Sequence, residues 1–232
     1  MTRKKALGAA AIGLCVAAAA CEGTISSPAK TSALAAGPSP AAEGPVGSDE
    51  PVVRVADSVQ VGSSRLVRTP IGINFTLSTT DLTAGHAYTL WFVAFNRPEN
   101  CAVPFQCAPD DVVNDAAQPD MMYGAGSIAG GEGKATFAGR RSVGDNSGSL
   151  NMPVGLPSYG LLDPVGAEVL MAIHDHGPKL PEYLPDMFQT IDGGCTDAGI
   201  PAAGVPSPWN DHTFGRRGPN TCATIQVTVH RP

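Results

Sequence analysis

The sequence predicts an all-β fold: an antiparallel β-sandwich, Ig-like or jelly-roll-like, or a barrel, stapled by two disulfides. Three observations predict it. Glycine and proline number 27 and 21 among 232 residues, and both break helices. Short β-rich runs bounded by turn signals recur along the chain, with no stretch beyond about a dozen residues of helical spacing and caps. Cys101, Cys107, Cys195 and Cys222 form an even set beyond the N-terminal region, as a disulfide framework requires.

The runs follow in order. Residues 52–55 (VVRV) and 59–61 (VQV) are short opening strands. Residues 73–77 (INFTL) put three apolar side chains on one face, as a half-buried strand does. Residues 88–95 (YTLWFVAF) are apolar on both faces and read as a central, buried strand. Residues 123–129 and 134–139 flank Gly130-Gly131-Glu132-Gly133, a hairpin loop. Residues 167–174 form a further strand closed by Gly177-Pro178. Residues 223–230 (ATIQVTVH) set Ile225, Val227 and Val229 on one face and polar groups on the other. Alternating β and α patterns are missing, which argues against a doubly wound fold.

The N-terminus reads as an address. Arg3, Lys4 and Lys5 precede an uncharged alanine-rich stretch, so residues 1–20 match a lipoprotein-type secretory signal rather than a membrane span. The stretch ends Ala18-Ala19-Ala20-Cys21, which makes Cys21 the expected lipidation site; ordinary cleavage and secretion is the alternative. Residues 21–50 lack aromatic residues and any period of 2 or 3.6, and read as a disordered Ala/Pro/Ser/Gly linker spanning roughly 30 Å. All thirteen aromatic residues lie beyond it, which places a single β-sandwich domain at 51–232.

Charge narrows the partners. Removing the signal leaves 12 basic against 21 acidic residues, a balance of −9. That argues against nucleic acid and against a basic membrane-binding patch, so membrane contact is expected through the lipid. The expected partner is then an unidentified ligand or protein of the cell envelope.

Local pairing predicts Cys101–Cys107 and Cys195–Cys222, and an exported chain gives both an oxidising setting. Residues 124–129 match a loose dinucleotide pattern, but the hairpin loop that follows leaves no helix N-terminus for a pyrophosphate. Asp110, Asp111, Asn114, Asp115 and Asp120 lack EF-hand spacing and read as a solvated loop. His174-Asp175-His176 is the one metal-like constellation: on a strand both imidazoles share a face, and His86, His212 or His230 could add a third ligand for copper or zinc. The competing reading ends a strand with two histidines, one solvated and one bonded to backbone. Between Cys195 and Cys222, Trp209, Asp211, His212 and Arg216 are candidate ligand-binding residues on a stapled loop.

Residues 89–101, Gly166-Ala167-Glu168-Val169, His176-Gly177-Pro178 and Asp192-Gly193-Gly194-Cys195 together resemble a family of secreted bacterial β-rich proteins without assigned activity. The resemblance implies export and a β-rich fold. His174-x-His176 is also similar to chordin-type domains and to copper/zinc superoxide dismutase, although the dismutase's two metals need more histidines than the five here. The expectation is a lipid-anchored, non-catalytic binding or structural domain with no cofactor. The rival is a metal-binding protein or metalloenzyme built on His174 and His176.

Overall fold

Hydrophobic alternation builds one eight-stranded sheet in the computed structural model, which describes residues 44–150, 157–196 and 215–232. The strands are β1 (Val46–Arg54), β2 (Gln60–Thr69), β3 (Gly72–Thr79), β4 (His86–Phe95), β5 (Pro119–Ile128), β6 (Ala135–Ser142), β7 (Glu168–Pro178) and β8 (Ala223–His230). Their order is β5-β4-β7-β8-β1-β2-β3-β6, and every neighbouring pair is antiparallel. The two outermost strands, β5 and β6, lie against each other without a hydrogen-bonded ladder. The sheet is thus nearly closed into a barrel. A sheet rolled this far leaves little free edge for another chain to pair with.

The barrel interior holds Val52, Leu66, Ile73, Phe75, Leu77, Tyr88, Leu90, Phe92, Phe137, Val169, Met171 and Ile173, all buried. Phe75 and Phe92 meet across it, ring centroids 5.3 Å apart. A second apolar cluster covers the outer face of β4 and β7: Trp91, Val93, Phe95 and Leu170 pack beneath Cys101, Cys107, Val112, Ala117, Leu150 and Ile191. Two covered faces explain why the run at 88–95 is apolar throughout. Both disulfides pair as expected, with Sγ–Sγ distances of 1.95 Å for Cys101–Cys107 and 2.00 Å for Cys195–Cys222. Two such bonds mark a chain that matures in an oxidising compartment outside the cytosol.

Several expectations need correction. Strand β1 begins at Val46, inside the segment assigned to the linker, because residues 46–52 ladder onto β2. Gly177-Pro178 does not close β7, which runs through both; Pro178 faces His86 at the end of the ladder. The glycine loop makes its turn, with Gly133 N–H donating to Gly130 O at 2.9 Å. The strands it joins nevertheless part, β5 to β4 and β6 to β3, so there is no hairpin ladder. Gly133 is needed where it stands: its φ is +65°, and a Cβ would lie 2.4 Å from Leu82 O. The only α-helix among the described residues, α1 (Leu184–Gln189), is a single short segment that buries Met187.

Strand β8 departs furthest from ordinary patterning. Its polar Gln226, Thr228 and His230 are the buried ones, while Ile225, Val227 and Val229 are half-buried. The polar face turns into the barrel and is satisfied there. Thr79 Oγ1 donates to Gln226 Oε1 at 2.6 Å, Gln226 Nε2 donates to Thr80 O at 2.9 Å, and Ser64 Oγ lies 3.0 Å from Thr228 Oγ1. Arg68 closes the same end of the barrel, its guanidinium donating to the carbonyls of Pro164, Ala167, His230 and Arg231.

Candidate functional site

Strand β7 carries Leu170 and Ala172 on its outer face, and His174 follows at the same period of two. The β7–β8 register slips between Ile173 and His174, which sets His174 opposite Thr224. His176 comes next on that side. Their rings stand edge to face, centroids 4.9 Å apart. The shared face expected from sequence is therefore real. The solvated histidine of the competing reading is not found, since both residues are fully buried.

The cover is the chain returning after α1. Residues 192–196 are laced to residues 216–220: Gly194 N–H donates to Arg216 O at 2.9 Å, and Thr196 N–H donates to Asn220 O at 2.8 Å. Asn220 Nδ2 donates to the carbonyls of His176 and Pro178, both at 2.8 Å, which locks that layer onto β7. Close approach explains Gly193, where a Cβ would sit 2.3 Å from the Asp186 carbonyl carbon. The same lacing brings Cys195 and Cys222 onto the histidines. Donor atoms of His174, His176, Cys195 and Cys222 all lie within 4.8 Å of one another. Cys195 Sγ is 3.6 Å from His176 Nδ1.

Each imidazole has a distinct set of neighbours. His176 Nδ1 lies 2.9 Å from Gly193 O and must carry a proton to bond it. His176 Nε2 lies 3.1 Å from Thr89 Oγ1, whose single proton is also within 2.8 Å reach of Met187 O. One hydroxyl proton thus faces two acceptors. His174 Nδ1 is 3.3 Å from Thr224 Oγ1, and His174 Nε2 has no partner among the described residues. Burial, with the neighbouring His176, pushes the His174 pKa down to about 3. Burial also pushes His176 down to about 4. Both are neutral at physiological pH, the state in which an imidazole binds a metal.

The expected third ligands lie elsewhere. His86 Nδ1 bonds the Asp175 carboxylate at 3.0 Å and is not among the clustered donors. His230 sits at the far end of β8 between Ser48 Oγ (2.7 Å) and Ser64 Oγ (2.6 Å). His212, Trp209 and Asp211, with Cys21, lie outside the described residues. Arg216 is engaged within the fold: its Nε meets Asp186 Oδ2 at 2.7 Å, its Nη2 donates to Glu182 O, and it stacks on Tyr183. The acidic residues do not converge on one point. Asp111 accepts from Ala102 and Ala108 N–H, Asp120 from Ser149 and Gly160, and Asp115 from Tyr159.

Beside this cluster runs a groove of about 690 Å³ on the outer face of the sheet. Its floor is Trp91, Val93, Leu170, Ala172 and Val227, and its walls include Val112, Met121 and Ile191. Thr224 belongs to both features, lining the groove and bonding His174. The indole N–H of Trp91 has no acceptor among the described residues.

The fold and site define a nearly closed, eight-stranded antiparallel barrel with two disulfides, an outer apolar groove and a buried histidine–cysteine cluster. No family model matches this chain, and neither a curated protein nor a solved structure matches it.

Proposed function

We propose that this protein is an exported, lipid-anchored, non-catalytic binding domain whose ligand face is the groove over Trp91, Val93, Leu170, Ala172 and Val227. The observation that carries the reading is the outward turn of Val227 on β8, which joins Trp91, Val93, Leu170 and Ala172 in the groove while the strand's hydrogen-bonded polar face turns inward. A β-strand built for stability alone puts those faces the other way round. The groove volume falls in the range of small-molecule sites. Its apolar floor fits an alkyl chain or a comparable apolar body.

Such a ligand gains about 0.8 kcal/mol for each buried methylene, close to fourfold in affinity. A series of straight-chain alcohols of increasing length, titrated against the purified full chain, should show that increment until the groove is full. Ala172→Arg, which fills the floor from a half-buried position, should abolish binding with the fold intact by circular dichroism. Length-independent binding, or binding unchanged in Ala172→Arg, would contradict the reading.

The rival metal reading is favoured by one observation, the four donor atoms gathered within 4.8 Å. In the disulfide form the two sulfurs are bonded to each other, which leaves two imidazoles, and two ligands alone rarely hold an ion. The oxidised domain is therefore expected to carry no tightly bound copper or zinc.

A further inference from the structure

We infer that Cys195 and Cys222, once reduced, join His174 and His176 in a four-donor site for a divalent, borderline-soft ion of the zinc type, so that the disulfide and the ion are alternative closures of one buried site. The inference rests on the metal reading above and adds the condition under which it operates.

Geometry comes first. A tetrahedral ion with sulfur at about 2.3 Å and nitrogen at about 2.0–2.1 Å needs its donors roughly 3.3–3.8 Å apart. The four donor atoms already lie within 4.8 Å, and Cys195 Sγ lies 3.6 Å from His176 Nδ1. The largest adjustment is the parting of two sulfurs now 2.00 Å apart. Cys195 is buried and backbone-bonded to Asp192 and Gly218, whereas Cys222 is half-buried just before β8, so the movement falls to the Cys222 side.

Unpaired donors point the same way. His174 is fully buried, and its Nε2 has no hydrogen-bond partner among the described residues. A buried acceptor without a donor costs about 1–3 kcal/mol, and an ion would remove that cost. The shared proton at Thr89 is resolved as well. With the His176 proton moved from Nδ1 to Nε2, Nε2 donates to Thr89 Oγ1 and Thr89 donates to Met187 O, while Nδ1 gives up its bond to Gly193 O and offers its lone pair to the ion beside Cys195. Thr224 bonds the other nitrogen of His174, which is the usual outer support of a ligating histidine.

Charge selects the ion. Two thiolates and two neutral imidazoles around a divalent cation sum to zero, so a buried complex escapes most of the desolvation cost of a net charge. A monovalent copper ion in the same place would leave a net −1.

The chemistry balances as follows. A dithiol reductant gives two electrons and two protons, the Sγ–Sγ bond breaks to two thiols, and the reductant leaves as its own disulfide. Ion binding then displaces the two thiol protons to solvent. The imidazoles contribute lone pairs, with no net proton change. Reoxidation to the disulfide releases the ion.

The test uses the full chain with zinc present throughout, either oxidised or reduced with a phosphine. Each sample is then desalted, and its zinc, free thiols and circular dichroism are measured. One zinc per reduced chain, with almost none in the oxidised chain, is the expected result. His174→Ala should weaken zinc in the reduced chain at least about a hundredfold, exceeding the loss from an outer-shell partner. That variant also separates this site from the second cysteine pair, which the phosphine opens too. Cobalt in place of zinc should give the visible bands of a tetrahedral thiolate site. Zinc bound equally in the oxidised chain and lost in His176→Ala would keep the metal reading and overturn the redox condition. A folded, fully reduced chain without zinc would overturn both. Unfolding on reduction despite zinc would overturn the redox condition, because a four-donor ion would hold the covering layer in place.

Discussion

Three buried histidines make this domain sensitive to acid. His174 is lowered to about 3 by burial and His176, while His176 and His230 are lowered to about 4, burial being the main cause in both. In the unfolded chain each returns to about 6.5. Between those values the unfolded state binds more protons than the folded one, so stability falls as pH drops from about 6.5 towards 4. Asp120 and Glu168, raised mainly by burial, act in the opposite sense within the carboxylate range. Urea denaturation at a series of pH values should show stability flat above about pH 7 and falling steeply below 6. His174→Gln, which cannot titrate, should flatten that fall; an unchanged slope would contradict the burial of a neutral His174. At this scale the sequence was half legible. The period of two correctly put both imidazoles on one face, but spacing along a strand carries no information about what covers it. The sulfurs that complete the cluster come from segments 19 and 46 residues beyond His176, and chain separation hides such a meeting.

Among the elements, the covering layer over β7 depends most on its staple. Cys195–Cys222 spans 27 residues, for which the loop-entropy argument gives about 3 kcal/mol; Cys101–Cys107 spans only 6 and should contribute less. Replacing Cys195 and Cys222 together by alanine should therefore lower unfolding free energy by about 3 kcal/mol, with a smaller loss for the other pair. Equal losses in urea titrations would argue that the layer is held by its backbone lacing instead. Strand existence was legible nearly everywhere, because alternation and turn residues are local signals. Three features were not. The ladder from Val46 recruits polar residues that only pairing makes regular. The glycine loop at 130–133 reads as a hairpin because sequence shows a turn and not the partner of each strand. The inward polar face of β8 needs Ser64 from β2, Thr79 from β3 and Thr80 just beyond it to satisfy it, and those partners are visible only in the fold.

For the molecule as a whole, the proposed anchor is a lipid at Cys21. Cys21→Ala should move the protein from the membrane fraction to the soluble one; unchanged fractionation would contradict the anchor. No helix among the described residues is long and apolar enough to cross a membrane. The central claim, that the outer face of the barrel is a ligand site, is tested most directly at Trp91. The chain has two tryptophans, so an amide-correlated NMR spectrum contains two indole N–H signals, and Trp91→Phe assigns them. Titration with a medium-chain alcohol should shift the Trp91 signal progressively to saturation, because its unpaired N–H lies at the groove floor. A Trp91 signal that stays fixed while the ligand is bound elsewhere, or is not bound at all, would contradict the account.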